Sequence, residues 1–297
     1  MEDYTMAEIL DGKKVAAHLS EEIKNAVEES INHGITPTVA FVRVGDLEDS
    51  ISYENAAVKK FQKLGIETKQ FHFPEDISEK EFLDKFKEIN WDFSIHGILL
   101  LQPLPKHINI TRAAQLMRSF KDIDGLTVMN LGKVLTNADD RLEPCTPAAV
   151  MEFFDYYNLD LKGKNVTVVG ASAVVGKPLS LLMMNRDATV TTCNLYTDDL
   201  VDKCKNADVI VSAAGAVDLI RKEHVKPGAV VIDVGINFNE EGKLVGDVAY
   251  DEVKEVAGYI TPVPGGVGAI TTTKLAEHLI KAIEHQKQAI LFIEDKF

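Results

Sequence analysis

The stretch "NVTVVGASAVVGKP" carries the sharpest chemical signal in the chain: an apolar run ending at Gly170, then Ser172 and Gly176, then the helix-like "GKPLSLLMMN". A strand that turns on glycine into a helix presents free backbone N–H groups and a positive dipole end, which suits a phosphate. The spacing Gly170-x-Ser172-x-x-x-Gly176 is one residue longer than G-x-G-x-x-G, and Ser172 replaces the second glycine. Packing alone would explain glycine there, so the flanking strand and helix carry the dinucleotide reading. The next strand ends in "TTCNLYTDD", where an acid would accept from a ribose 2′-OH and an arginine would hold a 2′-phosphate. Cys193, Asn194, Leu195 and Tyr196 offer neither, although Lys177 could approach from the glycine loop. The tilt is toward NAD, with NADP the alternative. "VSAAG" at Gly215, "IDVGI" at Ile236 and "TPVPGGVG" across Pro264, Gly265 and Gly266 place further glycines at strand ends, where open α/β sheets bind ligands. A tight turn explains any one of them equally well; several on one edge favour a site.

A second candidate is "DSISYENAAVKKFQKLGI", a helix with a glycine stop and an exposed Tyr53 near its start. Ala56 and Ala57 follow one turn later, and Lys59 and Lys60 only after them. His96 in "SIHGILLL" reads as a satisfied core histidine. The 8 His and 3 Cys show no metal-ligand spacing. No nucleophile elbow, Walker loop or H-E-x-x-H is present.

These residues sit in alternating helix and strand signals. "VAAHLSEEIKNAVEESIN", the Tyr53 helix, "SEKEFLDKFKEI" after a Ser78 cap and "TTTKLAEHLIKAIEHQKQAILFI" have helical periodicity. "TPTVAFVRVG", "ETKQFHF", "SIHGILLL", "KNVTVVG", "ATVTTCN", "DVIVSAAG" and "GAVVIDVGI" read as strands. That alternation predicts parallel sheets with crossover helices. Residues 122–147 break the rhythm, being turn-rich and weakly periodic, and a domain boundary falls in their later part. "TPAAVMEFFDYY" then reads as a linking helix, Thr146 its cap and Pro147 its first residue. The fold class is α/β in two domains: residues 1–145 with 271–297, and a Rossmann-like domain over 146–270.

A chain of 297 residues accommodates two cores. The formal charge of −14, without a basic patch, argues against nucleic-acid binding. Three scattered cysteines suit a reducing compartment. The acidic N-terminus has no apolar h-region and no stretch is long enough to span a membrane, so a cytoplasmic protein is expected.

Taken in order, "VGDLEDSISY", "KLGI", "HGILL", "DIDGLT", "PCTP", "VVGASAVVGKP", "ATVTTC", "KPGAVVIDVGIN", "VGDV" and "YITPVPGGVG" resemble the bifunctional methylenetetrahydrofolate dehydrogenase/cyclohydrolases of one-carbon metabolism. The resemblance runs nearly end to end. It implies a folate-binding first domain, an NAD(P)-binding second domain and a C-terminal helix returning to the first. A homodimer joined through the dinucleotide domains is also implied. Tyr53 matches the tyrosine that packs on the pterin, and Asp124 the aspartate that hydrogen-bonds it. Gly170, Ala171, Ser172 and Ile236 match positions lining the dinucleotide, and the loop from Pro264 to Gly268 one bordering the substrate.

The chain departs from the family where hydrolysis is served. The pattern Tyr-x-x-x-Lys places the general base of the cyclohydrolase step four residues after Tyr53, where Ala57 stands. Lys59 projects roughly 240° around the helix from Tyr53, and Lys60 returns to its face roughly 4–5 Å too far along. The pattern H-G-x-x-x-Q-L-P-L puts a lysine-tuning glutamine where Leu101 stands; Gln102 follows, and strand alternation should turn its amide away. Ala171 and Leu195 occupy positions that often carry a base for the 2′-phosphate, and Ala269 stands where proline is usual. The expectation is a dehydrogenase, NAD favoured, with cyclohydrolase activity weak or absent and a separate cyclohydrolase as a possible partner. A fully bifunctional NADP enzyme and a silent folate- or nucleotide-binding paralogue are the alternatives.

Overall fold

The computed structural model describes residues 6–294, with side chains through residue 287. The acidic first five residues and the apolar side chains closing the last predicted helix lie outside the described residues. From the N-terminus run β1 (Glu8–Ile9), α1 (Gly12–Asn32), β2 (Thr38–Val44), α2 (Glu48–Lys63), β3 (Glu67–Phe73), α3 (Glu79–Trp91), β4 (Gly97–Leu100), α4 (Ile110–Leu116) and α5 (Val128–Leu135). Next come α6 (Cys145–Tyr156), β5 (Asn165–Val169), α7 (Gly176–Met184), β6 (Thr189–Cys193), α8 (Leu200–Cys204), β7 (Val209–Ser212) and β8 (Val230–Asp233). β9 (Asn237–Phe238), β10 (Leu244–Val245), α9 (Tyr250–Val253), β11 (Tyr259–Ile260) and α10 (Thr271–Glu294) complete the order.

The chain divides into two compact units, residues 18–143 with 272–297 and residues 1–17 with 144–271. The first contains the parallel sheet β3-β2-β4. Every residue of β2 is buried, as its mainly apolar sequence, interrupted by Arg43, suits a central strand covered on both faces. Phe41 meets Phe61 of α2 edge-on, and Phe73, Phe82 and Phe86 fill the other face. Ser78 caps α3 by accepting from the N–H of Glu81. A Cβ on Gly97 would lie 2.6 Å from the side chains of Ile123 and Leu279, so glycine lets α10 pack against β4. His278 Nδ1 lies 2.9 Å from the carbonyl oxygen of Ile123, and Gln286 donates to that of His96.

The second unit holds a parallel six-stranded sheet in the order β1-β11-β8-β7-β5-β6. The chain leaves β5 toward β6 on one side and returns to β7 on the other, which makes the β5–β7 end a topological switch point.

Three expectations need correction. Residues 1–17 group with the dinucleotide-type unit, because β1 pairs in parallel with β11; a two-residue strand leaves no periodic signal. α6 begins at Cys145 behind Pro144, so Thr146 is not its cap, and Pro147 lies inside the first turn, where a missing N–H costs nothing. The turn-rich segment contains α5, capped by the Thr127 hydroxyl accepting from the N–H of Asn130. No helix among the described residues is long and apolar enough to cross a membrane.

Candidate active site

A cavity of about 580 Å³ opens in the first unit between the start of α2 and the end of β4. Leu47, Glu48, Asp49, Ser50 and Tyr53 form one wall, Leu99 to Pro103 another, and Asp124 a third. Tyr53 is 42% exposed and lines the cavity. The segment "DIDG" assigns its two acids different work. Asp122, fully buried, accepts from the N–H groups of Leu126 and Thr127 and from the Asn130 amide, which fixes the turn. Asp124, two residues on, is half-buried and faces the cavity. Gly125 at φ +67° permits that turn.

Ala57 is 1% exposed and does not line the cavity. None of the lining residues is Lys, Arg or His. Lys59 is exposed on another face of α2. Lys60 directs its ammonium at Ser20 Oγ on α1, 2.7 Å away; burial, with Lys24 and Lys63 nearby, pushes its pKa down. The opposite wall departs from expectation. Leu101 and Gln102 both line the cavity, although neighbouring strand residues should face opposite sides. β4 ends at Leu100, so the strand alternation expected to separate the two does not extend to Gln102. His96 lies outside the cavity lining; its Nδ1 accepts from the N–H of Thr38, and burial lowers its pKa.

In the second unit, Gly170, Ala171, Ser172, Gly176 and Gly215 gather at the carboxyl ends of β5 and β7. Gly170 has φ +117°, and a Cβ there would lie 2.2 Å from the Ala213 carbonyl oxygen; one on Gly176 would lie 1.8 Å from that of Gly170. The two close approaches bring the ends of β5 and β7 and the start of α7 together so tightly that only glycine fits at either position. Ser172, in place of the second glycine, ties down the turn: its Oγ accepts from the N–H groups of Val175 and Gly176, at 3.0 and 3.4 Å. Leu195 is 92% exposed beyond β6, and Ile236 is 69% exposed beyond β8. Pro264, Gly265 and Gly266 are outside the cavity lining and pack on the start of α1, where Gly12 N–H donates to the Gly265 carbonyl.

Sequence reading missed two acids that organise this edge. Asp247, fully buried, accepts from Ser212 Oγ, from the N–H groups of Ala214, Gly215 and Ala216, and from the Asn237 amide. Asp233 accepts from the N–H groups of Gly235, Asp247 and Val248, while burial pushes its pKa up to about 6 against their pull. Each acid abuts a glycine: a Cβ on Gly235 would strike Asp247 Oδ1 at 2.2 Å, and one on Gly246 would strike Asp233 Oδ2 at 1.9 Å. The available signal was the pairing of acid and glycine in "DVG" and "GDV".

Comparison with known proteins agrees with this geometry. Residues 10–124 match the tetrahydrofolate dehydrogenase/cyclohydrolase catalytic domain, and residues 144–287 match the NAD(P)-binding domain of the same family. Bifunctional protein FolD of Carboxydothermus hydrogenoformans is 44% identical over 281 residues, covering 94% of this chain and 98% of the relative. The crystal structure of the bifunctional FolD methylenetetrahydrofolate dehydrogenase/cyclohydrolase from Campylobacter jejuni superposes with a TM-score of 0.92 at 39% identity, over 94% of this chain and 99% of that one. The Trypanosoma brucei dehydrogenase-cyclohydrolase, complexed with NADP cofactor and inhibitor, has a TM-score of 0.88 at 32% identity, over 95% and 99%. The chain belongs to the tetrahydrofolate dehydrogenase/cyclohydrolase family.

Proposed function

We propose that this protein oxidises 5,10-methylenetetrahydrofolate to 5,10-methenyltetrahydrofolate with NAD or NADP as acceptor, and hydrolyses the product weakly or not at all. The observation that carries the reading is the cavity lining: it includes Tyr53 and Asp124 and no cation, and Ala57, which matches the position of the family's base, is buried outside it. Oxidation asks the protein for proximity and orientation, because removing a hydride from the methylene carbon requires no proton transfer. Tyr53 supplies a ring face for the pterin, and Asp124 accepts from its N–H groups. Glu48, Asp49 and Asp124 favour the positive charge that spreads over N5 and N10 as the hydride leaves. Hydrolysis requires a positioned base to activate water, typically worth ~10²–10⁴-fold.

The Gly170–Gly176 cradle fits a nicotinamide dinucleotide. Gly170 and Gly176 let the turn between β5 and α7 close against the end of β7, which offers the start of α7 to the pyrophosphate, with Ala171, Ser172, Gly215 and Ile236 around it. The bound dinucleotide supplies the hydride-accepting carbon. NAD is favoured because the exposed tip at Leu195 carries no cation, and NADP is the alternative.

A bifunctional enzyme is the second reading, favoured by the bifunctional relatives and by the presence of Gln102 in the cavity wall. With bifunctional relatives, nothing in the comparisons calls for a separate cyclohydrolase. The homodimer implied by the resemblance is compatible with β6, an edge strand exposing Thr189, Thr191 and Thr192. Sedimentation tests it.

The deciding assay follows nicotinamide reduction and methenyl disappearance separately, with NAD and with NADP. Reduction with a persisting methenyl product is expected. Rapid enzyme-dependent decay of the methenyl absorbance would overturn the monofunctional reading, and folate binding without reduction of either dinucleotide would leave a silent paralogue.

A further inference from the structure

Arg43 breaks the apolar run "TVAFVRV", and Glu54 follows the ligand-facing Tyr53, yet both are buried, at 7% and 2% exposure. They meet each other. Arg43 Nε donates to Glu54 Oε2 at 2.8 Å. The same guanidinium donates to Asp46 Oδ1 at 2.7 Å and to the Gly45 carbonyl. Glu54 Oε1 accepts from the Gln70 amide at 3.1 Å and lies 2.8 Å from His72 Nε2, both on β3. Burial works against the Glu54 carboxylate, but His72, Arg43 and Gln70 outweigh it and hold its pKa low. One carboxylate thus joins α2 to β2 and β3, and its arginine partner reaches the loop leading into Leu47, Glu48 and Asp49 of the cavity wall. Tyr53 and Glu54 are separated by about 100° around α2, so anchoring Glu54 against the sheet fixes the direction of the tyrosine ring.

We propose that Arg43 and Glu54 are positioning residues for the folate cavity, setting the Gly45–Glu48 loop and the roll of α2 that aims Tyr53. The proposal rests on the folate-binding role of that cavity. Neither residue lines it, and their action runs through Tyr53 and the loop.

The test compares wild type, Arg43→Leu/Glu54→Leu and Glu54→Gln. Replacing a buried ion pair by apolar residues of similar size often leaves a fold intact, whereas removing one partner does not. For each protein the readouts are KM for methylenetetrahydrofolate, KM for the dinucleotide, kcat, melting temperature and the calorimetric Kd of tetrahydrofolate. The double leucine variant is expected to raise the folate KM and the tetrahydrofolate Kd by about tenfold, because misaimed contacts cost rate and affinity without being abolished. The dinucleotide KM should stay within twofold, and Glu54→Gln, which keeps an acceptor for Arg43 but loses the charge that holds it, should raise the folate KM and the tetrahydrofolate Kd by about threefold or more, short of the double variant. A folded double variant with an unchanged folate KM and Kd overturns the proposal, as does an equal rise in both KM values. If the double variant does not fold, Glu54→Gln decides: a threefold or larger rise in the tetrahydrofolate Kd supports the proposal, and a smaller one overturns it. Failure of wild type to reduce either dinucleotide would count against the enzymatic reading, and the tetrahydrofolate Kd would still decide the positioning role.

Discussion

Restoring the missing base is the most direct perturbation of the reaction assignment. Ala57→Lys places an ammonium one helical turn beyond Tyr53, about 6 Å along the axis and about 40° around it. The site is 1% exposed, so the long side chain must displace packed neighbours or extend toward the cavity; overpacking of this kind costs about 1–3 kcal/mol. Desolvation lowers the pKa of a buried lysine, the direction a base requires, while Glu48, Asp49 and Asp124 in the wall oppose that shift. Adding Leu101→Gln supplies an amide partner from the opposite wall. A positioned base contributes ~10²–10⁴-fold, equivalent to about 3–5 kcal/mol of barrier, which exceeds the packing cost. The double variant should therefore accelerate enzyme-dependent loss of methenyl absorbance by at least about 10²-fold over wild type, with Ala57→Lys alone giving less. Dinucleotide reduction should change little. Stopped-flow absorbance at fixed pH, with uncatalysed hydrolysis subtracted and melting temperature checked, measures the gain. A folded double variant with no gain would refute the assignment of position 57 as the missing element.

Three further outcomes test other parts of the molecule. Tyr53→Ala should raise the folate KM by about tenfold or more while Tyr53→Phe stays near wild type, since ring stacking on a heterocycle is worth ~1–3 kcal/mol; equal losses in both variants would assign the role to the hydroxyl. Gly170→Ala forces a side chain into φ +117° and against the Ala213 carbonyl, so dinucleotide affinity should fall by about 10²-fold with tetrahydrofolate affinity unchanged in calorimetry. Glu277 is half-buried, which opposes its charge, but Lys274 and Lys281 outweigh that desolvation and hold its pKa at about 2. A carboxyl depressed in the folded state stabilises above its unfolded pKa and loses that contribution as pH falls from about 4.5 to about 2, on the order of 3 kcal/mol here. Urea midpoints between pH 5 and pH 2.5 should fall more steeply for wild type than for Glu277→Gln; parallel curves would remove Glu277 from the acid transition.

The sequence signals that proved readable were local and repeated. Gly65 and Ser78 mark helix ends because a positive φ and a side-chain cap each require particular residue types. The β-branched runs of β5 and β7 identify buried parallel strands, and the glycines after them carry the cradle. Misreadings occurred where a long-range partner decides. β1 is a strand only because β11 accepts it, and α5 spans two turns. The alternation argument for Gln102 presumed a ladder that ends two residues earlier, at Leu100. Asp233 and Asp247 are separated by the β9–β10 hairpin, so no periodicity connects them. Arg43 and Glu54 were visible only as exceptions to the patterns around them.

The Asp233–Asp247 network has an architectural consequence. Both ends of the segment carrying β9 and β10 are fastened by buried carboxylates, while its turn at Asn239–Lys243 is closed by its own hydrogen bonds and stands in solvent. Added residues at that turn would be insulated from the sheet beneath. The tip is thus a natural port for a peptide insert or a fluorophore, and the clasp at its base would keep such cargo from disturbing the dinucleotide edge.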